Sequence, residues 1–152
     1  MTLRANYMAL AAPAMDILMA QEGYLREQFS GSNTLSLTVW ELVKLRISQL
    51  NQCAFCIDMH SKEAMAQGES VERILGLNAW RDMPWYSEIE TTALALAEHV
   101  SSGKAVDDHT YQRARDVLGE QGLVDLTIAI NAINSWNRIV KMFKPEVGSY
   151  KS

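Results

Sequence analysis

The chain has 152 residues, a length that is typical of one domain and that can bury a core without disulfides or a structural metal. Only eight residues are glycine and three are proline, which argues against many tight β-turns, and the 48% hydrophobic and 21% charged content excludes a disordered chain or a coiled coil. The net charge of −4 argues against nucleic acid as a partner.

The first half of the chain predicts three helices. Apolar residues recur at helical spacing over residues 12–29, where Pro13 suits the first turn and a Ser-Gly-Ser-Asn stretch follows the last. Two further helices are predicted over residues 37–50 and 51–67, the second ending at Gly68, a residue type that often terminates helices. The pattern leaves open whether a true break or only a kink separates these two helices.

The middle of the chain predicts a short helix, a loop and a longer helix. The short helix begins at Ser70, and residues 80–86 form the loop. Ser87 and Glu90 have the spacing of a capping box, in which each side chain bonds the backbone N–H of the other residue. They open a predicted helix that ends near Gly103.

The last third of the chain predicts two more helices. The first is capped by Asp107 or Asp108 and ends at Gly119. The second covers residues 121–143 and stops before Pro145, because the residue preceding a proline is disfavoured in a helix. No run alternates between apolar and polar residues for long enough to predict a strand. The sequence therefore predicts an all-α fold of six or seven helices.

The termini and the cysteines limit where the protein works. No stretch approaches the roughly 18 uninterrupted apolar residues of a membrane helix. Arg4, Pro13 and Asp16 interrupt any signal-peptide core, so secretion is not expected. Cys53 and Cys56 would close too short a loop to stabilise a fold much, and such a pair without a signal is typical of redox chemistry or metal binding in the cytoplasm.

The residues that carry chemistry lie in the segment 41–61. If Cys53 to His60 is helical, Cys53, Cys56 and His60 fall within an arc of about 60°. The two cysteine Cα atoms would then lie about 5 Å apart, which is within the range of a disulfide. His60 lies one turn beyond Cys56, where its imidazole can exchange a proton with that thiol.

Glu41 is the acid at the start of this segment. It lies near the start of an apolar helix, among Trp40, Leu42 and Val43, and such a position predicts burial and a raised pKa. The alternative is a solvated charge that interacts with the helix dipole. The spacing alone favours neither interpretation.

Other interpretations of the cysteine segment remain open. His60 could be an ordinary hydrogen-bonded histidine, and the cysteines could be inert buried thiols, although a helix N-terminus favours a thiolate. Cys53, Cys56 and His60 could also bind a structural zinc ion, which usually needs a fourth ligand. The other histidines, His99 and His109, lie far away in the sequence, so a metal site is not expected.

Several aromatic and polar residues have a less specific role. Trp80, Trp85 and Tyr86 could wall a substrate pocket, but aromatic loop residues more often cover a core or an oligomer interface. Asn134 and Trp136, in the last predicted helix, are expected to be structural.

A glutamate, eleven residues and then C-x-x-C-x-x-x-H resemble the active-site signature of the AhpD-like branch of the carboxymuconolactone decarboxylase superfamily. Glu41, Cys53, Cys56 and His60 match this signature position by position, and the resemblance continues through DMHSKEA and LVDLTIAINAINSWNRI. It implies one AhpD-like domain over residues 1–152, an all-helical protomer with the C-x-x-C pair in the N-terminal part of a helix, and a homo-oligomer, either a trimer or a hexamer.

The resemblance also implies thiol-dependent peroxidase activity. Cys56 would attack the peroxide and become a sulfenic acid, and Cys53 would resolve that acid to a disulfide. Glu41 and His60 would form the proton relay that activates the thiols. The best-known members carry a further histidine before the second cysteine, where this chain has Phe55, so its relay is expected to be slower or to serve another substrate.

Two arguments differ over which thiol reacts first. Cys53 lies nearer the predicted helix start, so the helix dipole should make it the more acidic thiol. Cys56 lies nearer His60 and is the attacking thiol that the resemblance implies, and we therefore expect Cys56 to lead. Members with true lactone decarboxylase activity lack this cysteine pair, so that activity is not expected.

Together with the resemblance, the sequence predicts a cytoplasmic thiol peroxidase or disulfide reductase that uses a Cys53–Cys56 dithiol and no cofactor or metal. The expected partners are a hydroperoxide, a dithiol reductant such as a lipoyl group, and further copies of this chain, with neither nucleic acid nor a membrane among them. The alternatives are a redox sensor or oligomeric interaction module that uses the same dithiol without turnover, and a structural zinc protein.

Overall fold

The computed structural model describes residues 3–152, which form seven α-helices and contain no strand. This confirms the predicted all-α fold. Within the described residues, no helix is long and apolar enough to cross a membrane. The α-helices are α1 (Tyr7–Leu10), α2 (Ala12–Gly31), α3 (Leu37–Leu50), α4 (Ala54–Ala66), α5 (Val71–Gly76), α6 (Glu88–Ser101) and α7 (Asp108–Phe143). A 3₁₀ helix at Leu77–Asp82 lies between α5 and α6.

Side-chain caps begin α6 and α7 where the sequence predicts them. The Ser87 hydroxyl accepts a hydrogen bond from the Glu90 N–H at 3.2 Å, and the Glu90 carboxylate accepts one from the Ser87 N–H at 2.8 Å. Asp107, and not Asp108, caps α7 by accepting a bond from the Thr110 N–H at 2.9 Å. The capping box predicted for α6 is therefore confirmed.

A true break, and not a kink, separates α3 from α4. Gln52 has a φ of +53°, in the left-handed region, and Cys53 is extended, so the chain changes direction between the two helices. The helix predicted from Asn51 consequently begins only at Ala54. This turn makes Cys53 the N-cap residue of α4, a position that the sequence pattern alone does not reveal.

Gly119 interrupts α7 at the predicted boundary between two helices. Its φ of +72° and ψ of 165° are not helical, and they lie in a region that is accessible almost only to glycine. The chain resumes a helix directly afterwards, so α7 consists of two helices that meet at a kink at Gly119, in agreement with the predicted boundary.

Replacing Gly119 by alanine is expected to destabilise the protein by about 1–3 kcal/mol, because alanine adopts this backbone conformation only under strain. A Cβ at Gly119 would meet no atom within 4 Å, so the loss would come from the backbone alone. Gly23→Ala is a matched control in α2, since a Cβ there also meets no atom within 4 Å and the φ is not positive. The control should stabilise the protein by about 0.5–1 kcal/mol. Urea denaturation of both variants checks this, and equal changes in stability would contradict it.

The central helix of the fold is α3, which packs against α4, α6 and α7. Phe29 of α2 stacks on Trp40 of α3 with ring centroids 5.4 Å apart, within the largest hydrophobic cluster. Because neighbours surround α3, its polar residues Glu41, Lys44 and Ser48 are buried together with its apolar ones. Buried polar groups need partners, and these come from α4, from α7 and from α3 itself.

Candidate active site

The two cysteines lie at the start of α4 and are joined by a disulfide. Cys53 is the N-cap residue, and Cys56 lies in the first turn. Their Cα atoms are 5.3 Å apart, in agreement with the distance expected from helical spacing. Both residues are buried, with 1% and 3% of their surfaces exposed. The fold therefore holds the pair in contact and mostly shielded from bulk solvent.

The turn before Cys53 is anchored to α7. The Asn51 side-chain amide donates hydrogen bonds to the Oδ1 atoms of Asn134 and Asn137, both at 2.9 Å. The Lys141 ammonium donates to the Asn51 carbonyl oxygen at 2.6 Å. These contacts hold the end of α3 and so fix where α4 begins. Asn134 is structural, as expected, and it supports the disulfide turn in particular.

Glu41 accepts hydrogen bonds from two buried side chains. Its Oε2 lies 3.1 Å from His60 Nδ1, and its Oε1 lies 2.5 Å from Lys44 Nζ. The exposed fractions are only 2% for Glu41 and 6% for each of its partners. Lys44 Nζ also lies 3.6 Å from the centroid of the Trp40 ring. Both carboxylate oxygens thus have a partner inside the protein.

The expected rise in the pKa of Glu41 is wrong. Burial does raise the pKa of this carboxyl, but the hydrogen bond from His60 and the positive charge of Lys44 lower it more, so the pKa lies below its ordinary value. The alternative of a solvated charge is also wrong, because the side chain is buried. Glu41 is therefore an ionised carboxylate at neutral pH.

This carboxylate decides how the His60 ring is used. A carboxylate beside Nδ1 favours the tautomer that carries its proton on Nδ1 and donates it to Glu41. Nε2 then has a free lone pair that can accept a proton. His60 follows Cys56 by one helical turn on α4, and both line the same cavity, so the two residues share a helix face as the sequence predicts.

A cavity of about 360 Å³ connects these residues to the surface. Cys56, His60, Glu41 and Lys44 all line it. Most of the remaining wall is apolar and comes from several helices; this part includes Met19, Phe55, Met59, Ile133, Trp136 and Val140. Phe55, which stands where the resemblance implies a histidine in other members, therefore contributes an apolar ring to the wall.

Several residues of this cavity are not predicted from the sequence, Lys44 and Tyr150 among them. Lys44 leaves a weak signal, since it is a charged residue three positions after Glu41 in an apolar run. Tyr150 leaves none, because it lies 90 positions from His60 in a segment without a motif. Its hydroxyl donates a hydrogen bond to the Glu63 carboxylate, which raises the pKa of Tyr150 to about 12. The segment that follows α7 thus closes one side of the cavity.

The aromatic residues of the 80–86 segment lie elsewhere. Trp80 is buried in a second hydrophobic cluster with Leu42 and Leu94, and its Nε1 donates a hydrogen bond to Glu98 at 2.9 Å. Tyr86 packs against the same cluster, whereas Trp85 is 45% exposed. None of the three lines the cavity beside Cys56. Trp80 and Tyr86 therefore cover a core and do not contribute to the candidate site.

Sequence comparisons place this site within a known family. The model of the carboxymuconolactone decarboxylase family matches residues 16–99, a range that includes Glu41, Cys53, Cys56 and His60. Over 141 residues the chain is 43% identical to the uncharacterized protein YdfG of Bacillus subtilis (strain 168), covering 91% of this chain and 92% of that protein. It is also 32% identical over 117 residues to the uncharacterized protein YnjA of Escherichia coli (strain K12), covering 73% and 64% of the two chains.

Solved structures have the same fold. A protein of unknown function from Agrobacterium tumefaciens, described as a candidate antioxidant defence protein AhpD, is 34% identical with a TM-score of 0.87, over 98% of this chain and all of that one. An uncharacterized peroxidase-related protein from Ralstonia eutropha JMP134, with an alkylhydroperoxidase AhpD core, shares the fold at 13% identity with a TM-score of 0.81, over 93% and 74% of the chains. The chain therefore belongs to the carboxymuconolactone decarboxylase family, in its AhpD-like branch.

Proposed function

We propose that the protein is a thiol-dependent peroxidase that reduces hydroperoxides through a Cys53–Cys56 dithiol, with Glu41 and His60 as its proton relay. One observation carries this proposal: Cys56 lines an apolar cavity together with His60, whose Nδ1 is engaged by a buried carboxylate. A nucleophile, a base and a group that orients the base are the elements of an activated thiol. The names of the similar proteins from Agrobacterium and Ralstonia agree with this chemistry.

The first step of the proposed cycle oxidises Cys56. In the reduced protein, His60 Nε2 accepts the Cys56 proton, and the resulting thiolate attacks the terminal oxygen of the hydroperoxide ROOH. The O–O bond breaks, Cys56 becomes a sulfenic acid, and the RO⁻ leaving group takes the proton from His60 and departs as an alcohol. Glu41 remains a carboxylate throughout, because its role is to orient the ring and to stabilise the imidazolium.

The second step forms the disulfide. The Cys53 sulfur attacks the sulfur of the Cys56 sulfenic acid, so that the S–S bond forms as the S–O bond breaks. The hydroxyl of the acid and the proton of the Cys53 thiol leave together as water. A dithiol reductant, such as a dihydrolipoyl group, then exchanges with the disulfide and becomes a disulfide itself. The sum converts one hydroperoxide and one dithiol into an alcohol, water and the oxidised reductant.

Access to the cavity favours Cys56 as the attacking thiol. Within the described residues, Cys56 is among those that line the cavity and Cys53 is not. The helix dipole acts on both sulfurs, since Cys53 is the N-cap residue and Cys56 lies in the first turn. Access therefore supports the same order that the resemblance implies, with Cys53 as the resolving thiol.

The surroundings of the site indicate the kind of partner. The apolar wall suits a hydroperoxide that carries an organic group. A dithiol that must be reduced in each cycle suits the cytoplasm, where thiols are kept reduced. Apolar side chains are exposed on the first two helices, including Leu10 at 79% and Ile17 at 71%, which supports the homo-oligomer that the resemblance implies.

Multiple turnovers test the proposed function. With cumene hydroperoxide and an excess of dihydrolipoamide, we expect each chain to consume many equivalents of peroxide, whereas protein alkylated at both thiols should consume none. Consumption of a single equivalent would indicate the redox sensor instead. No consumption with any of several dithiols would contradict the peroxidase proposal.

A further inference from the structure

Lys44 is a buried cation that the proposed cycle does not use. Only 6% of its surface is exposed, although lysine is among the residue types that are rarely buried. Its ammonium lies between the Glu41 carboxylate, at 2.5 Å, and the face of the Trp40 ring, at 3.6 Å. Burial of an ammonium is costly unless it is paired, so these two contacts explain how the fold tolerates Lys44 but not what it does.

The carboxylate of Glu41 divides its oxygens between Lys44 and His60. Oε1 faces the ammonium, and Oε2 faces the imidazole Nδ1. When the His60 ring is neutral, Lys44 is the only full positive charge within 4 Å of Glu41 among the described residues. A carboxyl group buried without such a charge tends to take up a proton, and a protonated Glu41 would accept less well from Nδ1–H.

We propose that Lys44 is a positioning residue of this site, whose ammonium keeps the buried Glu41 ionised so that Glu41 can hold His60 as the proton acceptor for Cys56. The inference rests on the proposed function only in the role that it gives to His60. Lys44 lines the same cavity as Cys56, but its contact is with Glu41. Lys44 acts through Glu41, and it neither attacks the peroxide nor donates a proton to it.

Other charged groups line the same cavity, and each contacts a further side chain. Glu22 of α2 accepts a hydrogen bond from Trp136 Nε1 at 3.1 Å, and Glu63 of α4 accepts one from the Tyr150 hydroxyl. Arg26 of α2 is exposed, and its Cζ lies 5.8 Å from the Trp40 centroid. Besides Cys56, the titratable and charged groups that line the cavity are Tyr7, Glu22, Arg26, Glu41, Lys44, His60, Glu63 and Tyr150.

The geometry predicts an effect that depends on pH. A positive charge within about 4–6 Å lowers the pKa of a carboxyl group, so Lys44→Met should raise the pKa of Glu41. At the acidic end of the pH range, Glu41 would then take up a proton more readily in the variant than in the parent. At the basic end, Glu41 would be ionised in both proteins, and His60 would be held equally well.

The test measures alkylation of Cys56 by iodoacetamide between pH 5 and pH 8.5, in reduced protein that carries Cys53→Ser. We expect Lys44→Met to slow alkylation at least about fivefold at pH 5.5 and less than twofold at pH 8. The effect depends on pH because the charge of Glu41 differs between the two proteins only at acidic pH. Lys44→Arg should restore the parent profile to within about twofold, because a guanidinium also provides the charge. Lys104→Met, at an exposed lysine outside this cavity, is the matched control and should follow the parent profile.

A double variant decides whether Lys44 acts through Glu41. In a Glu41→Gln background, adding Lys44→Met should change the alkylation rate by less than about twofold at every pH, because the group that Lys44 acts upon is already gone. A slowing that persists in this background, or that is equal at pH 5.5 and pH 8, would overturn the proposal. Unchanged alkylation in the single variant would do the same and would make Lys44 structural.

The same measurement is independent of peroxidase activity. Iodoacetamide reports the Cys56 thiolate, so the expected profile can appear even if the protein consumes no peroxide. In that case the proposed function would fail and the role of Lys44 would stand. Lys44→Gln, which retains a hydrogen-bond donor for Glu41, replaces Lys44→Met if circular dichroism shows that the methionine variant is unfolded.

Discussion

Cys56→Ser is expected to abolish peroxide reduction, with a loss of about 10³-fold or more, as for other enzymes that lose their nucleophile. A serine hydroxyl does not ionise near neutral pH and cannot be oxidised to a sulfenic acid, whereas it is close to a thiol in size. The fold should therefore survive while the reaction stops. Peroxide consumption in the presence of dihydrolipoamide measures the loss, and circular dichroism checks the fold.

Cys53→Ser is the matched control for this variant, since it removes the other sulfur of the same disulfide. It should still react with one equivalent of peroxide and leave a sulfenic acid on Cys56 that a dimedone probe traps. Continued turnover should fall, because no neighbouring thiol resolves this acid. The reverse pattern, with the single oxidation retained in Cys56→Ser and lost in Cys53→Ser, would make Cys53 the attacking thiol.

Glu41→Gln is expected to lower peroxide turnover by about 10²–10⁴-fold, because acid–base catalysis by His60, whose loss typically costs this much, depends on the carboxylate that orients the ring. The glutamine keeps the size of the side chain but can no longer stabilise a positive charge on His60. It also leaves the buried Lys44 ammonium without a counter-charge, which should cost about 3–5 kcal/mol of unfolding free energy. Turnover at pH 7 and urea denaturation measure the two effects separately.

A second substitution separates catalysis from stability at this position. In Glu41→Gln/Lys44→Met the unpaired ammonium is gone, so stability should recover in large part while turnover stays low. Normal turnover in the single variant, with thiol alkylation curves that overlap those of the parent, would make Glu41 a structural residue. The active site would then consist of Cys53, Cys56 and His60.

Local patterns in the sequence determined most of the secondary structure and, within the site, the closeness of the two cysteines. The Ser87–Glu90 box, the Asp107 cap and Gly119 mark helix boundaries because capping and backbone conformation depend on residues only a few positions apart. The closeness of Cys53 and Cys56 is also local, since an N-cap residue lies beside the first turn of its own helix. These features do not depend on which other helix packs nearby.

Only the tertiary structure decided the charge state of Glu41. Its neighbours in the chain are apolar and predict a raised pKa, whereas the opposite direction results from His60, which α4 brings to it, and from Lys44, which the packing of α3 buries. The electrostatics of a buried group depend on every charge within a few ångströms, and most of these are distant in sequence. Two further features depend on contacts between residues that are distant in sequence. Tyr150 lines the same cavity, and residues of α7 hold the turn before Cys53.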